Sequence, residues 1–155
     1  MNKSFLLPFF FLLLFAVFVG CESKAVEKSN GKEFNRPESE KLQKEVERIH
    51  DEIMPEMSTI ERLRDSIETT LALKNDQLSE EVIQQLIRAK EGLVSADKAM
   101  WDWMYNYKPA NYKVESDLVA YLVEERISIK EVQNQMMNSM QYAQSTLDQI
   151  QSNDQ

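Results

Sequence analysis

The chain has 155 residues, one domain's worth, with 43% hydrophobic and 28% charged residues and only three glycines and four prolines. So few breakers, set among many Glu, Gln, Lys and Leu, favour long helices over sheets. The formal net charge of −8 repels phosphate backbones and argues against nucleic acid as a partner.

Met1-Asn2-Lys3-Ser4 is a short basic segment, and Phe5 to Val19 follows as a nearly unbroken apolar run. About fifteen apolar residues fall short of the roughly twenty that span a bilayer; they fit the hydrophobic region of a secretory signal. Phe18-Val19-Gly20-Cys21 resembles the lipobox of bacterial lipoproteins, with Phe18 in place of the usual Leu or Val. That resemblance implies a signal peptide over 1–20, cleavage before Cys21, and diacylglycerol on the Cys21 sulfur. Several acyl chains on one residue exceed what stable anchoring needs. Because Cys21 is the sole cysteine, lipidation leaves no thiol for a disulfide. Loss of Lys3 with the signal leaves 17 basic against 26 acidic residues, a charge of −9.

Residues 21–37 contain Gly, Asn, Ser and Pro without apolar periodicity and read as a lipidated flexible tether. Sixteen residues of coil reach roughly 20–25 Å. Glu22 after the cysteine does not continue into the acidic cluster of surface-exported lipoproteins, so the expected location is the outer membrane, facing the periplasm.

From residue 39 to 74, Leu42, Val46, Ile49, Ile53, Met57, Ile60, Leu63, Ile67 and Leu71 recur in steps of three and four. That is a helical stripe. Pro55 removes a hydrogen bond to the Asp51 carbonyl, yet the stripe keeps phase across it, predicting a kink rather than two separate helices. After a turn at Lys74 to Gln77, Ser79 is the expected N-cap of a second helix, 79–107. Its predicted seam is Val82, Leu86, Ala89, Leu93, Asp97, Met100, Met104 and Tyr107. Lys108-Pro109 ends it. Ser116 is the expected cap of a third helix, 116–151, whose seam runs Leu118, Leu122, Glu125, Ile129, Val132, Met136, Met140, Ala143, Leu147 and Ile150. Near-alternating steps of three and four resemble a heptad seam. Helices of about 30–36 residues span roughly 45–55 Å. The expected fold is all-α: residues 38–151 as an elongated up-down-up antiparallel three-helix bundle, its first helix kinked at Pro55.

The stretches HDEIMPEM (His50–Met57), ADKAMWDWM (Ala96–Met104) and MMNSMQYA (Met136–Ala143) resemble small lipoproteins of Bacteroidetes that carry the transferred label "viral A-type inclusion protein". The resemblance implies an envelope location and a helical fold. It contributes no catalytic residue.

Three constellations bear on function. His50, Met54 and Met57 stand at i, i+4 and i+7 on one side of the first helix. Pairing the first two helices through their turn brings His50 near Trp101 and Asp102, and brings Met100 within about a turn. A histidine with thioethers suits Cu(I) or Ag(I), whereas methionine as a filler of irregular core gaps is the competing explanation. Asp97, placed in the seam, is expected to be a buried charge that fixes helix register, with His50, Lys90, Lys98 or Arg126 as its partner. Trp101, Trp103 and Tyr105 either seal the bundle's end or present an aromatic patch to an envelope protein or glycan. There is no Gly-rich phosphate loop, Cys/His quartet or Ser-His-Asp set. The sequence therefore reads as a non-enzymatic scaffold or interaction module held at the membrane by its lipid, with no cofactor besides that lipid unless copper or silver binds.

Overall fold

The computed structural model describes residues 37–153, and all their regular structure is helical. The expected signal peptide, Cys21 and nearly all of the tether lie outside the described residues. Four α-helices form three rods: α1 (Pro37–Ile53) and α2 (Met57–Lys74) make the first, α3 (Glu80–Asn106) the second and α4 (Glu115–Asn153) the third.

Pro37 opens α1, where its missing N–H costs nothing. The Glu115 carboxylate of α4 closes that terminus: Ser39 donates to it from its amide at 3.4 Å and from its hydroxyl at 3.1 Å. A carboxylate there also meets the positive end of the helix dipole. Ser39 is 2% exposed in consequence.

At Pro55 the helix tightens into a single 3-10 turn, Met54–Glu56, and then resumes. The Met57 amide donates to the carbonyls of Met54 and Pro55, and Ser58 Oγ donates to the Pro55 carbonyl at 2.8 Å. These bonds hold the turn together on the C-terminal side of the proline. Val46, Ile49 and Ile53 before the turn and Ile60, Leu63 and Ile67 after it are all buried, so the seam keeps its phase through the kink.

A second 3-10 turn, Asn75–Gln77, reverses the chain. Ser79 caps α3 as the sequence predicts, its side chain accepting from the Val82 amide at 3.4 Å. Ser116 does not cap α4. That helix already starts at Glu115, and Ser116 Oγ donates to Asp117 Oδ1 at 3.2 Å.

Interhelical contacts fix the directions. Lys90 pairs with Glu68 at 2.9 Å, and Gln135 donates to Ser95 at 2.9 Å, so α3 runs antiparallel to both α2 and α4. Ser39 meets Glu115, and Glu45 meets Arg126 at 3.2 Å and Lys130 at 3.5 Å. The first and third rods are therefore parallel, which is the up-down-up bundle. The first structured turn of the chain lies at the same end as the α3–α4 loop.

The buried seam of α4 matches every apolar position predicted for it, with Glu125 half-buried between Leu122 and Ile129. In α3 the seam departs from prediction. It runs Leu86, Ala89, Leu93, Ala96, Met100, Trp103. Asp97 and Met104 sit one residue to the side of it, half-exposed. Among the described residues, no helix is long and apolar enough to cross a membrane.

Candidate functional site

The most distinctive feature is a ladder of five rings at the end where α1 starts and α3 passes into α4. Tyr112 of the loop stacks on Tyr121 of α4 at 4.3 Å between centroids, and Tyr121 stacks on Tyr107 at 6.2 Å. Tyr107 stacks on Trp103 at 4.8 Å, and Trp103 on His50 of α1 at 5.6 Å. Ring planes diverge by only 19° to 28° from pair to pair. Each such pair contributes roughly 0.5–1.5 kcal/mol beyond the area it buries. The ladder ties all three rods together and holds the loop.

Local sequence explains most of it. Trp103 and Tyr107 are four residues apart at the end of α3, so one ring lies over the next. Tyr107 caps the helix, its amide donating to the Trp103 carbonyl at 2.9 Å. The loop then closes on itself: Asn111 donates to Lys108 O at 3.1 Å and Tyr112 to Pro109 O at 3.2 Å. Tyr121 Oη accepts the Lys108 amide at 2.7 Å, pinning the residue that precedes the proline. Burial pushes the Tyr121 phenol above its ordinary range, a shift that the Lys108 amide opposes. Tyr107 is pushed further up, by burial first and then by the nearby Glu47, Tyr121 and Glu125.

Trp103 Nε1 and Tyr107 Oη are buried without a hydrogen-bond partner in the protein. Leaving such a group unsatisfied costs roughly 1–3 kcal/mol. Beside them opens a shallow groove of about 370 Å³, lined by Glu47, His50, Asp51, Trp103, Met104 and Tyr107. His50 Nδ1 lies 3.0 Å from Asp51 Oδ1, and neither a serine, a threonine nor a cysteine is among the residues that line the groove. A larger concavity of about 560 Å³ runs along α2 and is lined by that helix alone. Of these two, the groove is the one that brings together groups from different elements, which makes it the better candidate.

The sequence-predicted residues are distributed as follows. His50 meets a tryptophan as expected, but the partner is Trp103 rather than Trp101. Met54 and Met57 flank the Pro55 turn, partly buried against the core, and Met100 is fully enclosed. The methionine that shares the groove with His50 is Met104. Among the described residues, no group of three or more His, Cys, Asp or Glu is placed to hold a metal ion.

Two expectations are corrected. Asp97 is not a buried charge: Ala96 occupies the seam, and all four partners offered to Asp97 are engaged by other carboxylates. Arg126 pairs with Glu45, Lys90 with Glu68, Lys98 with Asp102, and His50 with Asp51. Trp103 is not part of an outward patch, being 7% exposed within the core, whereas Trp101 is 56% and Tyr105 78% exposed. Spaced i, i+4, those two share one outward face of α3. Tyr121 escaped sequence reasoning because it lies beside the α4 seam, where nothing local marks it as the loop's anchor.

Comparison with family models, with curated proteins and with solved structures finds no match.

Proposed function

We propose that this chain is a lipid-anchored scaffold of the bacterial cell envelope, a helical bundle tethered through Cys21 and acting by contact rather than by catalysis. The observation that carries the reading is the lipobox-like Phe18-Val19-Gly20-Cys21, followed after fifteen residues by the first turn of a well-packed bundle. Such a tether allows the bundle a coil-like reach of roughly 20–25 Å from its anchor. The outward Trp101 and Tyr105 give the bundle an apolar surface of the kind that contacts use. Metabolic labelling with a palmitate analogue tests the anchor. Label on the wild type, with loss of both label and membrane fractionation in Cys21→Ala, is the expected result; an unlabelled, freely soluble wild type contradicts it.

A second reading, soft-metal binding, draws support from the shared lining of the groove by His50 and Met104. Thioether and imidazole together suit Cu(I) or Ag(I). Titration with Ag(I) would quench Trp103 through its neighbour His50 and shift the Met104 methyl resonance. Unchanged fluorescence and methyl spectra would remove this reading.

A further inference from the structure

The end of the bundle that receives the chain from Cys21 is also the end whose loop exposes aromatic and cationic side chains, beside the acidic first turns of α1 (Glu38, Glu40) and α4 (Glu115, Asp117). Ser39, two residues into α1, is bonded to Glu115 at the start of α4. The α3–α4 loop immediately precedes Glu115. Fifteen residues separate Cys21 from Pro37, at most about 55 Å when fully extended. The far turn at Asn75–Gln77 lies a further rod's length away, roughly 55 Å.

At the near end, Tyr105 is 78% and Val114 55% exposed. Trp101, 56% exposed, stands about 8 Å up α3 from Asn106. From Trp103 to Val114 there is no acidic residue, while Lys108 and Lys113 are both present. Lys108 Nζ lies 5.4 Å from the centre of the Tyr105 ring, and Lys113 Nζ donates to the Ala110 carbonyl at 2.8 Å. Asp102, the nearest carboxylate on the outward face of α3, is paired with Lys98. Beneath this surface the ring ladder and the Tyr121–Lys108 bond hold the loop in one shape.

Trp and Tyr favour the headgroup level of a bilayer, and lysines there keep their ammonium groups in water. We propose that this end of the bundle rests in the phospholipid headgroup interface of the membrane that holds Cys21, so that the rods stand on the bilayer. The proposal rests on the lipid-anchored reading. A net charge of −8 would keep a free protein off an anionic surface, but a short flexible tether supplies an effective concentration on the order of millimolar. A weak interfacial preference of the loop then suffices to dock the near end.

The test uses the full mature chain, purified with its lipid and reconstituted into zwitterionic vesicles with or without brominated acyl chains. Trp101 is the reporter, and Trp101→Phe, which keeps the buried Trp103, sets the baseline. Expected are a blue-shifted Trp101 emission, its loss in brominated vesicles, and recovery when Lys108→Glu and Lys113→Glu place acids on the surface. Equal, slight quenching of wild type and Trp101→Phe overturns the proposal when mass spectrometry confirms lipid on Cys21; the anchoring reading then stands alone. Protection of Trp101 from acrylamide without bromolipid quenching assigns the surface to a second copy or another partner and likewise overturns it. If mass spectrometry finds no lipid, the anchoring reading fails, and the unlipidated chain at high vesicle concentration decides: quenching of Trp101 sustains the surface, and none removes it.

Discussion

Around Leu63, Ile67, Leu86 and Leu93 the interior is aliphatic, and each of these side chains is at most 2% exposed. At the other end His50, Trp103, Tyr107, Tyr121 and Tyr112 fill the space with stacked rings. The aliphatic half joins α2, α3 and α4 by direct helix packing. In the aromatic half α1 lies mainly against α4 and reaches α3 through the long side chains of His50 and Trp103. Aliphatic packing needs no polar satisfaction. The rings span a wider gap but bring polar atoms inside, and two of them are left without partners. The aromatic half is therefore the less perfectly satisfied part of the bundle, and it holds the loop and the groove.

Deleting the central side chain of each half separates them most strongly. Trp103→Ala is expected to cost about 3–5 kcal/mol and Leu93→Ala about 2–5 kcal/mol, read by urea unfolding. Trp103→Ala should also release the loop, giving rapid amide exchange at Asn111 and Tyr112, while Leu93→Ala leaves those amides protected. Equal protection in both variants would mean that the ladder does not hold the loop.

The two half-buried tyrosines, Tyr107 and Tyr121, should answer removal of the hydroxyl with opposite signs. Tyr107→Phe deletes an unsatisfied hydroxyl and is expected to stabilise by on the order of 1 kcal/mol. Tyr121→Phe deletes the acceptor of the Lys108 amide and should destabilise by about 1 kcal/mol. Two losses of the same size would show that Tyr107 Oη has a partner after all.

The same tyrosine sets an alkaline limit. Burial raises the Tyr107 phenol in the fold, while the unfolded chain keeps the ordinary value near 10. Folding thus favours the neutral phenol. Its contribution is complete below about pH 10 and is lost as pH rises from there toward the folded value. Urea midpoints should decline above pH 10 in the wild type and less steeply in Tyr107→Phe.

The smallest effect lies between the halves, on the α3–α4 face. A Cβ added at Gly92 would meet Ser139 Oγ at 3.6 Å, an ordinary contact. Gly92→Ala is therefore expected to stabilise by roughly 0.5–1 kcal/mol through helix propensity, visible as a raised melting temperature.

Much of the aliphatic half was legible in the sequence, because apolar residues recur in steps of three and four through the first rod and α4. Pro55 and Pro109 marked the interruptions, and the stripe's phase across Pro55 correctly predicted a kinked rod. The aromatic half was less legible. Near the end of α3, steps of three and four offer two apolar paths, Ala96 to Trp103 and Asp97 to Met104. Sequence periodicity cannot choose between residues 100° apart on opposite edges of one stripe. Tertiary packing made the choice: it buries Ala96 and Trp103 and leaves Asp97 and Met104 at the edge. Ladder members from three helices and a loop have no common local signature, so only Trp103 and Tyr107, one turn apart, could be linked in advance.

The parallel run of α1 and α4 is the central claim, since it puts the start of the bundle and the ring ladder at one end. Spin labels on cysteines introduced by Glu40→Cys and Ser116→Cys, compared with Glu40→Cys and Asp76→Cys, all in a Cys21→Ser background, test it by pulsed electron resonance. The account predicts that the 40–116 distance is shorter than the 40–76 distance by more than about 30 Å, because 36 residues of helix separate the latter pair. A 40–116 distance equal to or longer than the 40–76 distance would contradict it.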